Sequence, residues 1–117
     1  IIPVPLHSKR LRERGFNQAL LLVKELSRRT QIPYSKGLLR KRKPTTPQVN
    51  LSGGEREKGV RGSFHIQRDE EIEGKSILLV DDVYTTGATV NECSKVLLKA
   101  GAERVDVLTL AHAIKNP

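Results

Sequence analysis

The chain has 117 residues, with 21 Lys and Arg against 13 Asp and Glu for a formal net charge of +8, and aromatic residues make up only 3%. That length supports one domain around a single core. The lone Cys93 excludes an internal disulfide or a zinc site built from Cys pairs, and no apolar run approaches the roughly 20 residues of a membrane-spanning helix. These features predict an intracellular, reducing setting, the cytoplasm. The charge is unevenly spread: residues 1–62 hold 15 Lys/Arg against 4 Asp/Glu, and residues 63–117 hold 6 against 9. The basic half calls for an anionic partner, and polyphosphate and nucleic acid both qualify.

In chain order, Ile1–Val4 reads as a core strand ending at Pro5. The chain lacks Met and opens on a strand already under way, which predicts a piece of a longer protein whose N-terminal portion is missing. Leu6–Arg10 is a loop carrying Ser8, Lys9 and Arg10. A loop at the carboxyl end of a parallel strand lies in the crevice where open α/β sheets bind ligands; the alternative is a solvated basic loop. A helix follows, with Phe16, Ala19, Leu20, Val23 and Leu26 on its apolar face. Arg28 and Arg29 stand at its C-terminal end, where cations suit the dipole, and Ile32-Pro33 marks the exit. Leu38-Leu39 belongs to a second, short strand. From Arg40 to Gly62 neither helical nor strand periodicity is visible, and a loop that long is functional or disordered. Its opening run Arg40-Lys41-Arg42-Lys43 fits a solvated patch, phosphate screening or nucleic-acid contact. Phe64-His65-Ile66 alternates as an edge strand does, and Arg68–Gly74 is acidic and turn-like.

The most informative stretch is residues 77–89. Ile77-Leu78-Leu79-Val80 reads as a strand buried on both faces, as in a parallel sheet. Two adjacent carboxylates follow. Successive strand side chains point to opposite faces, so Asp81 and Asp82 cannot both be buried without partners; they are expected where the strand ends and the chain turns outward. Tyr84-Thr85-Thr86-Gly87-Ala88-Thr89 then leads into a helix whose periodic residues are Val90, Cys93, Val96, Leu97 and Ala100. Backbone N–H groups of such a loop, with a helix N-terminus behind them, can hold an anion. A phosphate cradle beside carboxylates that accept hydrogen bonds from a diol suggests a sugar phosphate; the plainer alternative is a buried strand turning into a helix. Thr89 with Glu92 also fits a capping box, which would divert the Thr89 hydroxyl from phosphate. Gly101 is placed to close the helix, and a strand at Val105–Leu110 completes a βαβ unit. Cys93 reads as a buried core thiol. His7, His65 and His112 are scattered, with nothing to pair them as metal ligands.

The order of apolar run, acid pair and Thr-Thr-Gly-Ala-Thr loop resembles the phosphoribosyl pyrophosphate (PRPP) motif of the type I phosphoribosyltransferases. Val4-Pro5-Leu6-His7-Ser8-Lys9-Arg10 is similar to the pyrophosphate loop of amidophosphoribosyltransferases. Arg12-Glu13-Arg14-Gly15-Phe16-Asn17-Gln18, Thr46-Pro47-Gln48 and Val60-Arg61-Gly62-Ser63-Phe64 resemble, in order, signatures of the ComF family of competence-associated proteins. Gly59 departs from the Asn usual before that Val and weakens any role for the position.

The resemblance implies an α/β type I phosphoribosyltransferase-like fold, a central mostly parallel sheet flanked by helices, spanning residues 1–117. It implies that Asp81 and Asp82 hold the ribose hydroxyls, residues 84–89 wrap the 5-phosphate, and Ser8, Lys9 and Arg10 face the pyrophosphate. A mobile loop at about 40–62, with Arg40, Gln48, Arg56 and Arg61, would close over PRPP. Mg²⁺ is implied, met by Asp81 and Asp82 only indirectly through PRPP, since that ion keeps waters and binds through substrate phosphates. Relatives of this kind carry a Cys-rich zinc module ahead of the domain. The expected chemistry is transfer of phosphoribose to a nitrogen acceptor. Two alternatives stand beside it: a PRPP- or nucleotide-binding module without turnover, and a single-stranded DNA binder in DNA uptake, against which the scarcity of aromatics counts.

Overall fold

The computed structural model describes residues 1–5, 17–42, 62–84 and 87–112. Its central element is β4 (Ser76–Tyr84), flanked in parallel by β1 (Ile2–Pro3) and β5 (Arg104–His112). Ile2 pairs with Leu79 and Pro3 with Val80, while β5 runs beside β4 from Ser76 opposite Arg104 to Tyr84 opposite His112. The central place of β4 follows from its composition. Ile77, Leu79 and Val80 are all buried, and only a strand covered on both faces has use for such a run.

Side-chain alternation separates the two faces. Ile77 and Leu79 share a core with Ile2, Val4, Ile72 and, from helix α2 (Ala88–Lys99), Ala88, Val90, Cys93 and Leu97. Val80 has the opposite parity and lies outside that cluster. So do Ala19 and Val23, the buried residues of helix α1 (Gln18–Thr30), which packs on β4 from the second face. The expected apolar stripe of α1 is thus seen, with Leu20 and Leu26 half-buried beside it; Phe16 lies outside the described residues.

Helix ends are closed by local chemistry. Asn17 caps α1: its Oδ1 accepts the N–H groups of Ala19 at 3.0 Å and Leu20 at 3.3 Å, and its Nδ2 donates to the Val4 carbonyl at 3.3 Å. One side chain therefore starts the helix and ties it to the end of β1. At the other end Arg28 and Arg29 both engage Glu25, in addition to facing the helix dipole as expected. Gly101, at φ 105°, ends α2 in the conformation its sequence position predicted. A Cβ there would meet the Glu73 side chain at 3.2 Å, because the Gly101 carbonyl accepts the Gly74 N–H at 2.8 Å.

A second, two-stranded antiparallel sheet joins β2 (Leu39–Lys41) to β3 (Phe64–Ile66), pairing Leu39 with Ile66, Arg40 with His65 and Lys41 with Phe64. Here the expectation of a loop beginning at Arg40 is corrected. Arg40 and Lys41 are strand residues, because ladder pairing with residues 64 and 65 supplies the hydrogen bonds that local periodicity did not announce. Residues 43–61 of the expected loop lie outside the described residues. The acidic turn is a single turn of 3₁₀-helix, Asp69–Glu71. Among the described residues no helix is long and apolar enough to cross a membrane.

Candidate functional site

Asp81 and Asp82 lie within β4, not beyond it. The strand continues to Tyr84, with Asp81 opposite Thr109, Val83 opposite Ala111 and Tyr84 opposite His112 on β5. The expected outward turn at the acids is therefore corrected, and Tyr84 belongs to the strand instead of the loop. What makes this tolerable is visible at Asp81. Its Oδ1 accepts the Asp82 backbone N–H at 2.9 Å. Burial, together with a hydrogen bond and repulsion from the Asp82 carboxylate, raises its carboxyl from the ordinary 3.8 to about 7; the Asp82 N–H and the charge of Lys41 oppose the rise. A half-buried carboxylate that is partly protonated at neutral pH is a group poised for hydrogen-bonding partners.

The two acids are close enough at this end of β4 for their carboxyls to share a hydrogen bond. Asp81 shares the parity of Ile77 and Leu79, the α2 face, and its negative charge is felt there: burial first, then Asp81, push the Cys93 thiol well above its usual range. Cys93 is a free, fully buried thiol, as its place on the apolar helix face predicted. Lys41 acts on Asp81 and Cys93 alike with the opposite sign, and its Nζ lies 5.7 Å from the centre of the Phe64 ring. β2 thus aims one cation at the α2 face of the sheet, towards the acids. Read only as one of four consecutive cations, Lys41 had no distinct role; strand alternation within 39–42 is the signal that separates it from Arg40 and Arg42.

Three residues after the end of β4, Gly87 takes φ 85° and ψ −1°, and α2 begins at Ala88. That left-handed backbone suits glycine and turns the chain sharply into the helix. Gly87 is the N-cap residue, so the capping box built on Thr89 is corrected: Thr89 is inside the first turn. Glu92 instead reaches across to the turn ahead of β3, its Oε1 accepting the Gly62 N–H at 3.1 Å. Ala88 is buried in the core, so any share it has in holding an anion is through its backbone. The N-terminus of this 12-residue helix presents N–H groups and the positive end of a dipole just past the acids.

Of the other expected site residues, Arg40 stands exposed on β2. Ser8, Lys9, Arg10, Gln48, Arg56, Arg61, Thr85 and Thr86 lie outside the described residues. Among the described residues no group of three or more His, Cys, Asp and Glu side chains is placed to hold a metal ion. The donor set present, two adjacent carboxylates, fits Mg²⁺ only as an ion whose remaining oxygens come from water and a bound phosphate ester.

The phosphoribosyl transferase domain family matches residues 17–116, spanning the α1 helix, the acid pair, the loop and α2. Among curated proteins, Competence protein F of Haemophilus influenzae is 42% identical over 114 residues, which are 97% of this chain and 50% of that protein. DNA utilization protein YhgH of Escherichia coli K12 is 34% identical over 97% of this chain and 49% of its own length. Competence protein ComFC of Bacillus subtilis is also 34% identical, over 97% and 44%. The chain spans about half the length of these relatives. On that match, and on the parallel strand that carries its acids to a helix N-terminus, the chain belongs to the phosphoribosyl transferase domain family, alongside the ComF competence proteins.

Proposed function

We propose that this domain binds PRPP together with Mg²⁺ and transfers the phosphoribosyl group to a nitrogen acceptor, releasing pyrophosphate. The observation that carries the reading is the passage from β4 through Gly87 into α2, which sets a half-buried carboxylate pair beside a helix N-terminus. In this reading Asp81 and Asp82 accept hydrogen bonds from the ribose 2- and 3-hydroxyls and hold the ring, and neither is a nucleophile. Backbone amides of residues 84–89 hold the 5-phosphate against the α2 dipole. Ser8, Lys9 and Arg10, with Lys41, Gln48, Arg56 and Arg61, face the pyrophosphate. The nitrogen attacks the anomeric carbon as its bond to the pyrophosphate oxygen breaks, and that electron pair leaves with pyrophosphate. The protein's part is to position the sugar and to stabilise charge on the leaving group. Mg²⁺, when bound, neutralises part of that charge.

The relatives' names place such a domain in proteins of competence and DNA utilization, and we extend that setting, and the cytoplasm as its compartment, to this chain. A second reading is PRPP binding without turnover. Calorimetric titration with PRPP, with and without Mg²⁺, tests the site. Metal-dependent binding that Asp81→Asn/Asp82→Asn loses supports it, and unchanged binding in that variant overturns it. Pyrophosphate release with a panel of nitrogen acceptors then separates transfer from binding alone.

A further inference from the structure

β5 ends the sheet. One edge pairs with β4, and among the described residues no strand pairs with the other. An open edge leaves a row of N–H and C=O groups without partners, and proteins blunt such edges with Lys, Pro or a very short strand. β5 is nine residues long, and residues 105–111 read Val-Asp-Val-Leu-Thr-Leu-Ala, with neither Lys nor Pro. Its apolar side chains stand exposed on both sides of the sheet. Val107, across from Leu79, is on the α2 side at 41% exposure; Leu108, across from Val80, and Leu110 are on the α1 side, Leu110 at 74%. Charge on the strand cancels locally, because Arg104 Nε meets the Asp106 carboxylate at 2.9 Å. In a chain with a formal net charge of +8, β5 is thus a neutral strip where two copies approach with least repulsion.

We propose that β5 is the interface of a symmetric homodimer, in which two copies of the strand pair antiparallel and join two three-stranded sheets into one. A helix or a small apolar ligand would cover one side of the sheet and leave the backbone edge open. A strand satisfies the edge and flanks the exposed side chains on both sides. A second copy supplies that strand because β5 complements itself. With the twofold axis at Thr109, Leu108 lies opposite the partner's Leu110, and Val107 opposite the partner's Ala111. Moving the axis to Leu108 or Val107 would set Asp106 opposite a leucine, so the charge fixes the register. The antiparallel join sends the two acid pairs to opposite ends of the shared sheet and leaves both sites open. The dimer does not depend on the phosphoribosyl reading.

Sedimentation equilibrium of the whole chain over micromolar concentrations tests the proposal. The dimer should tighten as salt rises from about 50 to 500 mM, since screening relieves the repulsion of two +8 chains. Leu110→Lys should weaken it about tenfold or more, because two cross-strand leucine pairs are lost per dimer. Leu21→Lys, at an exposed leucine on α1, should leave it unchanged. Both leucines are exposed, and a thermal melt of each variant confirms the fold. Oxidation of Thr109→Cys should give a covalent dimer, as directly opposite residues stand about 4.5–5.5 Å apart, within disulfide reach. Val105→Cys, displaced from the axis, should not cross-link, and the native Cys93 is buried. A monomer at every concentration and salt overturns the proposal, as does a dimer that Leu110→Lys leaves unchanged or that both Lys variants weaken alike. Cross-linking through Val105→Cys as readily as through Thr109→Cys overturns the antiparallel pairing.

Discussion

Asp81→Asn should stabilise the ligand-free domain while removing its ligand. The wild-type carboxyl rises from 3.8 to about 7, chiefly through burial and the neighbouring Asp82. A group whose folded pKa is raised is stabilising only while protonated: stability is full below the unfolded value near 4, falls as pH climbs from there towards 7, and stays reduced above it. At about 1.4 kcal/mol per tenfold, the ceiling on that loss is roughly 4 kcal/mol at pH 8. Asn keeps an oxygen that can accept the Asp82 N–H and never ionises, but its amide must also be desolvated. The net expectation is therefore a gain of about 2 kcal/mol at pH 8 and little change at pH 4.5. Urea unfolding of both proteins at the two pH values measures it. A difference that is the same at both pH values, or a loss at pH 8, would refute the claim that Asp81 is strained by burial. The same variant should lose PRPP in calorimetry, so that stability and binding move in opposite directions, as at sites kept for function.

Other outcomes follow from single contacts. Leu79→Ala empties the middle of the central strand, where Leu79 has no exposed surface, and should cost about 2–5 kcal/mol in urea unfolding. Asn17→Ala removes two capping acceptors and the tie to Val4, for a loss of about 1–2 kcal/mol by the same assay. Gly87→Ala forces a side chain into a left-handed backbone at about 1–2 kcal/mol, and by shifting the turn ahead of α2 it should weaken PRPP more than it weakens the fold. Cys93, buried and with its thiol pushed up, should resist a thiol reagent such as dithionitrobenzoate in the native state and react fully in denaturant.

Much of the architecture is legible in the sequence itself. The run 77–80 is too apolar for a strand with a wet face, so a central parallel strand was the only comfortable home for it. The Gly101 terminus, the α1 stripe and the βαβ order follow from residue chemistry at short range. The acid pair could be read as functional because two adjacent carboxylates after a buried run have no structural use there.

What the sequence could not decide were matters of pairing. Whether β4 stops at Asp81 or runs on to Tyr84 depends on whether β5 extends alongside it, and that register is set at a distance of nearly thirty residues. Whether Arg40 begins a loop or sits in a ribbon depends on residues 64 and 65, across a stretch with no periodicity of its own. The same holds for Glu92, which suits a local capping box on paper and binds the Gly62 N–H in space. Local propensity and pattern act over a few residues, and by themselves they identified a sheet, its helices and its acids. Only tertiary pairing decided which cation faces Asp81 and which faces solvent, because a strand's alternation has meaning only once its partner strand is in place.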